Sequence, residues 1–206
     1  MKFSHEMKHK TIFFRAFVFC VVMATSFAQP NDVRAIQRIP PSTQWSTETA
    51  LDKYGFAYKT PANTQIVDIR DTATQKSFFI NDQNKNFIFA VSLSLDIDEK
   101  SFEEYDARTI GNGLGGGRPD RVSKLTKIKF AGYRALKFEW RDWVSRLQPF
   151  PEAKTAGTLI FVEVKPKQYY ALVGVGKDDN TKTGWRKLGC VLFNTFLKHV
   201  RLYTPK

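Results

Sequence analysis

The sequence predicts an α+β fold: an antiparallel sheet of about seven strands with helices on both faces, an α/β/α sandwich. Three observations lead there. Short β-type runs recur between Phe56 and Val175. Two pairs of these runs are separated only by the turns Ala131-Gly132 and Lys165–Gln168, which makes them hairpins, and hairpins are antiparallel because parallel strands need long crossovers. The runs near 87–95 and 160–175 are apolar at both parities, which calls for cover on both sides of the sheet.

In chain order, residues 1–28 read as a cleavable export signal. Lys2, Lys8, Lys10 and Arg15 stand against one acid, Glu6; an uncharged run from Ala16 follows, ending in Ser26-Phe27-Ala28 before Gln29-Pro30. A basic start, a short apolar run and a small-x-small exit are the parts of a secretory signal. A spanning helix needs about 20 apolar residues, more than lie between Arg15 and Gln29. Cys20 has Phe19 before it, where a lipoprotein cysteine needs a small residue. Residues 29–46, polar and broken by Pro30, Pro40 and Pro41, read as a flexible leader, and 47–206 as a single domain.

Within that domain Thr47–Tyr54 suits a short helix, with Gly55 at its C-terminal end. Strand patterns follow at Phe56–Tyr58, Ile66–Ile69 and Ser77–Ile80, then a turn over Asn81–Asn86 and the longest run, Phe87–Leu95. Asp98 can cap a helix carrying Phe102, Tyr105 and Ile110, which the glycines from Gly111 end. The two hairpins come next, Ile128–Val144 and Leu159–Val175. Trp185, Leu188, Leu192, Phe196 and Val200 form an apolar stripe on a closing helix that starts near Thr183.

Charge narrows the function. Without residues 1–28 the chain has 206 − 28 = 178 residues, with 32 − 4 = 28 basic and 20 − 1 = 19 acidic side chains, a balance of +9. An excess of that sign favours acidic partners. One cysteine, Cys190, remains after such processing, so no disulfide forms within the mature chain.

Most catalytic and cofactor chemistry fails on residue type or spacing. Gly111–Gly117 spells G-x-G-x-x-G, but it follows a helix and precedes Arg118-Pro119, whereas a dinucleotide loop leads into a helix N-terminus. Cys190 and His199 are nine residues apart on the closing helix, which separates them by about 13 Å on opposite faces and rules out a thiol–imidazole dyad. Two such residues are too few for a structural zinc site, and Asp96-x-Asp98 lacks the glycine of a calcium loop. No cofactor or metal is expected. Glu103, Glu104, Glu139, Asp142, Asp178 and Asp179 supply carboxylates for a hydrolase, the alternative reading, but their spacing selects no pair.

One stretch concentrates charge. Residues 118–146 carry nine Lys/Arg against Asp120, Glu139 and Asp142. Strand alternation is expected to put Ile128, Phe130, Leu136, Phe138 and Trp140 on one face, and Lys127, Lys129, Lys137, Arg141 and Trp143 on the other. Cations beside an exposed aromatic clamp an anion and stack on a sugar, so these five residues are the candidate binding site. The competing expectation is that Trp143 is covered and the lysines guard a sheet edge.

The order of motifs resembles a known family. Gly55-Phe56-x-Tyr58-x-x-Pro61 opens the domain, the apolar strand Asn86–Leu95 runs into a helix, and a hairpin carries Gly132-x-x-Ala135. Tyr169-Tyr170-Ala171-Leu172 and Phe193-x-x-Phe196 close it. Over roughly residues 54–200 this is similar to the PsbP-like family: the photosystem II accessory protein with its eukaryotic Ran-binding and bacterial periplasmic relatives. The resemblance implies the α/β/α sandwich and a non-enzymatic accessory or binding role. The expected function is therefore an exported, non-catalytic protein, secreted or periplasmic, that docks to a protein or an acidic surface. A surface binder of polyanionic glycan or anionic lipid is the third reading, and nucleic acid is the least favoured partner.

Overall fold

A computed structural model describes residues 44–95, 122–144, 150, 153–179 and 181–204. Ten strands lie among them: β1 (Thr49–Leu51), β2 (Phe56–Tyr58), β3 (Thr64–Asp71), β4 (Gln75–Asp82), β5 (Phe87–Ser94), β6 (Val122–Phe130), β7 (Tyr133–Val144), β8 (Lys154–Lys165), β9 (Gln168–Lys177) and β10 (Arg201–Leu202). One α-helix, α1 (Cys190–Lys198), follows a π-helical turn at Trp185–Gly189.

Seven strands form the main sheet in the order β3-β4-β5-β9-β8-β7-β6, and β1, β2 and β10 form a small second sheet. Every neighbouring pair is antiparallel. Short turns set the hairpin registers. Ala131 (φ 49°) and Gly132 (φ 89°) both take positive φ, the two-residue turn whose twist matches its flanking strands, so Phe130 pairs with Tyr133.

Each face of the main sheet is buried. One carries Phe78, Ile80, Phe87, Phe89, Tyr170, Leu172, Ile160 and Val162, packed against Leu192, Phe193 and Phe196 of α1 and against Tyr54, Phe56 and Tyr58. Removing a phenylalanine or leucine side chain of α1 from water contributes about 2 kcal/mol. The opposite face carries Phe79, Ile88, Leu136, Phe138, Trp140, Trp143, Leu159, Phe161 and Tyr169. Runs apolar at both parities, as in β5 and β9, thus mark strands covered on both sides.

Two expectations change. The described residues give an α+β fold with helix on one face, not on both; the helix expected from Asp98 to Ile110 and the 111–117 glycines lie outside the described residues, as do residues 1–28. Thr47–Tyr54 is not one helix: Thr49–Leu51 pairs with Phe56–Tyr58, and a 3-10 turn at Asp52–Tyr54 closes on Gly55 in the left-handed region at φ 59°. Pairing with the apolar β2 outweighs a weak helical propensity. The last residues of the predicted leader are held in place, with Trp45 bridged to Pro61 and the Ser46 N–H donating to the Thr60 carbonyl at 2.9 Å.

The small sheet is fastened to the large one by polar contacts as well. The Tyr170 hydroxyl donates to the Tyr54 carbonyl and accepts from Gln168 Nε2, all in the interior. Burial pushes the Tyr170 hydroxyl up to about 12, which keeps it a donor. Tyr203 closes the C-terminal end by donating to Asp52 Oδ1 at 2.7 Å.

Candidate functional site: a cleft between a β-bulge and a π-helical turn

β7 does not run true against β8. Trp140 pairs with Gly157, yet the next pair is Trp143 with Thr155, so Arg141 and Asp142 carry one residue too many. Asp142 takes φ 55°, a left-handed conformation that Asp tolerates better than most residues. This bulge is fastened from outside the strand. The Asp142 N–H donates to Asp178 Oδ2 at 2.6 Å, and Lys154 Nζ lies 2.7 Å from Asp142 Oδ1.

Asp178 stands just past β9 with its carboxylate 1% exposed, and its other oxygen accepts from Arg186 Nε. That hydrogen bond holds the Arg186 guanidinium above its ordinary pKa, with the Asp178 charge adding to it. Arg186 belongs to the five-residue π-helical turn that leads into α1. The Leu188 N–H reaches the Gly184 carbonyl at 3.0 Å, and the Cys190 N–H caps back onto the Trp185 carbonyl. One buried carboxylate therefore joins two backbone irregularities, and both kinds recur at functional sites.

Tryptophans pack on the two faces of the sheet beside this joint, each where a glycine leaves room. A Cβ on Gly174 would meet the Trp185 ring and stand 2.6 Å from Phe193 Cγ, and one on Gly157 would run into the Trp140 ring and lie 2.5 Å from the Gly174 carbonyl oxygen. Gly189 serves Trp185 in the same way, since a Cβ there would lie 2.6 Å from Trp185 Cε3.

Between the bulge and the turn lies a cleft of about 370 Å³, lined by Glu139, Arg141, Thr158, Trp185, Arg186 and Cys190 together with Trp140 and Gly157. Its size falls within the range of small-ligand pockets, about 300–1,000 Å³. Glu139 is ion-paired to Lys137 at 2.9 Å, Trp185 and Thr158 are buried, and Arg141 is exposed. Arg141 makes no hydrogen bond or ion pair among the described residues.

The five candidate binding residues do not form one face. The turn pairs Lys127 with Leu136 and Lys129 with Arg134, but Lys137 with Thr126. Lys127 and Lys129 therefore share the side of Leu136 and Phe138, while Lys137 points to the side of Ile128 and Ala135. Trp143 is not exposed: the extra residue of the bulge returns it to the side of Trp140, where it is 8% exposed and meets that ring edge-on at 5.8 Å. Of the set, Arg141 lines the cleft, and Lys127 and Lys129 are exposed on β6, the outermost described strand on that side.

The carboxylates are dispersed as well. Glu139 reaches the cleft, Asp142 and Asp178 are engaged in the joint, and Asp179 accepts from Thr181; Glu103 and Glu104 lie outside the described residues. Cys190 receives the Asn194 amide at 3.5 Å, whereas His199 at the far end of α1 meets the Trp45 ring at a tilt of 46°, with centroids 4.5 Å apart. Among the described residues no three His, Cys, Asp or Glu side chains gather as metal ligands. Sequence reasoning missed Thr158, Trp185 and Arg186 as cleft residues. Trp140 and Trp143, three apart in a strand of period two, were the available sign of a bulge.

No protein-family model matches the sequence, and neither does any curated protein. Solved structures do resemble the fold. Cyanobacterial PsbP (CyanoP) from Synechocystis sp. PCC 6803 is 12% identical, with a TM-score of 0.52 over 83% of this chain and 99% of that one. The Saccharomyces cerevisiae Ran-binding protein Mog1p is 10% identical, with a TM-score of 0.46 over 78% of this chain and 96% of that one. The likeness to CyanoP gives this chain the PsbP-like fold that its sequence motifs imply.

Proposed function

We infer that this is an exported binding or accessory protein that docks to a protein or an acidic partner in the envelope or outside the cell, and does not turn its partner over. The carrying observation is the employment of the carboxylates. Asp178 holds a bulge N–H and Arg186, Asp142 meets Lys154, and Glu139 meets Lys137. Carboxylates fixed beside cations serve architecture, whereas an acid–base pair needs two groups facing one substrate. Exposed Lys127 and Lys129 favour an acidic partner surface, and the fold shared with cyanobacterial PsbP accords with an accessory role. Export rests on residues 1–28 alone.

The test separates binding from hydrolysis. Residues 29–206 are assayed against chromogenic esters, glycosides and peptides, and for retention on immobilised heparin. The reading predicts salt-dependent retention and no turnover. Turnover that Glu139→Gln abolishes while the fold is kept would establish the hydrolase instead.

A further inference from the structure

We propose that the cleft between the bulge and the π-helical turn binds a small organic anion of monosaccharide size, one acid group on a hydroxylated body. This adds a ligand to the non-catalytic reading and rests on it only in that the ligand leaves unchanged.

Two arginines line the cleft from elements far apart in sequence. Arg141 comes from the bulged strand and Arg186 from the π-helical turn. Arg186 commits its Nε to Asp178, and its two terminal nitrogens make no other hydrogen bond among the described residues. Asp178 thereby fixes the direction of that fork, which is what preorganised recognition of a carboxylate or phosphate requires. Arg141 makes no hydrogen bond or ion pair among the described residues and stands next to Asp142, whose backbone is left-handed. Strand alternation puts Arg141 on the side of Glu139, and the bulge that follows turns Trp143 away to the other side.

The rest of the lining selects the body of the ligand. Glu139, two residues before Arg141 on β7, accepts hydrogen bonds, and Thr158 and Trp185 also line the cleft. An acceptor carboxylate beside the two cations disfavours a second acid group and favours hydroxyls, so the ligand carries one acid group together with hydroxyl donors. At about 370 Å³ the cleft has room for one sugar-sized unit and not for a polymer. The heparin-type contact of β6 is a separate surface.

Glucuronate and glucose 6-phosphate serve as probes for the two sources of the acid group, with glucose as the neutral control, each titrated calorimetrically into residues 29–206. Binding of at least one anion, with no heat from glucose, is expected at millimolar Kd or tighter. Arg141→Gln should weaken it about tenfold, the loss of one charged hydrogen bond, with an unchanged melting temperature because Arg141 supports nothing. Arg141→Lys should restore only part. Glucuronate binding alone assigns a carboxylate, and glucose 6-phosphate alone assigns a phosphate. Heat from neither anion, equal heat from glucose, or full affinity in folded Arg141→Gln overturns the site and leaves the docking reading intact. Conversion of a bound probe, followed by NMR in the same samples, would overturn the docking reading instead.

Discussion

Asp178 holds Asp142 in place across the fold: its Oδ2 accepts the Asp142 N–H at 2.6 Å, a contact between residues 36 apart in sequence. The same carboxylate takes Arg186 on its other oxygen. A strand irregularity and a helix entry are thus one mechanical unit, and the cleft is the space between them.

That unit has a measurable strength. Asp178→Ala should destabilise the protein by about 2 kcal/mol, since it leaves a part-buried N–H and a guanidinium without their acceptor. Asp178→Asn keeps an acceptor for the bulge and should lose about half as much. Urea unfolding measures both; equal losses would mean that the charge carries the whole joint, and no loss in Asp178→Asn that it carries none.

Space over the sheet is the second point of weakness. Gly174→Ala drives a methyl into the Trp185 and Phe193 rings, and should destabilise by about 2–3 kcal/mol. Because Trp185 then has to move, its fluorescence and any cleft ligand should change with it. A Gly174→Ala protein of native stability would show that Trp185 does not lie on the sheet.

Alkali should loosen the seam between the sheets. Tyr170 is pushed up to about 12, first by burial, and Tyr203 to about 12 by burial and then by its bond to Asp52. An unfolded tyrosine ionises near pH 10, so the contribution of Tyr170 is complete below pH 10. It falls as pH rises through the window from about 10 to 12, where the unfolded chain gives up a proton that the folded chain keeps. Tyrosinate absorbance with and without Tyr170→Phe tests this; a Tyr170 that ionises near pH 10 in the folded protein contradicts it.

The basic outer strand makes a prediction of its own. Lys127→Glu with Lys129→Glu should elute from heparin at clearly lower salt and melt almost as before, within about 0.5 kcal/mol. Lys137→Glu should move elution far less, because that side chain is bound to Glu139 at 2.9 Å on the other side of the sheet. Equal shifts from both would restore a single basic face.

Much of this was legible in the chain and some was not, for physical reasons. The hairpins were readable because Ala131-Gly132 and Pro166-Lys167 are turn chemistry between apolar runs. The side assigned to Lys127 and Lys129 was wrong because period-two reasoning inverts with a one-residue slip. Counting outward from Ala131-Gly132 pairs Lys127 with Leu136 and corrects it. Trp143 was misplaced by the bulge, a backbone event whose cause, the Asp178 carboxylate, sits in another part of the sequence. Nothing local marks the π-helical turn either; Gly189 gives room to Trp185 only once the helix is folded.

The proposed site, the Asp178-clamped cleft, binds its ligand and does not react with it. An amide NMR titration of residues 29–206 with glucuronate and then with glucose 6-phosphate tests it most directly. Shifts are expected to cluster at Glu139–Arg141, Thr158 and Trp185–Cys190, with the ligand signals unaltered on standing. Shifts scattered elsewhere, or a ligand spectrum that changes with time, would contradict it.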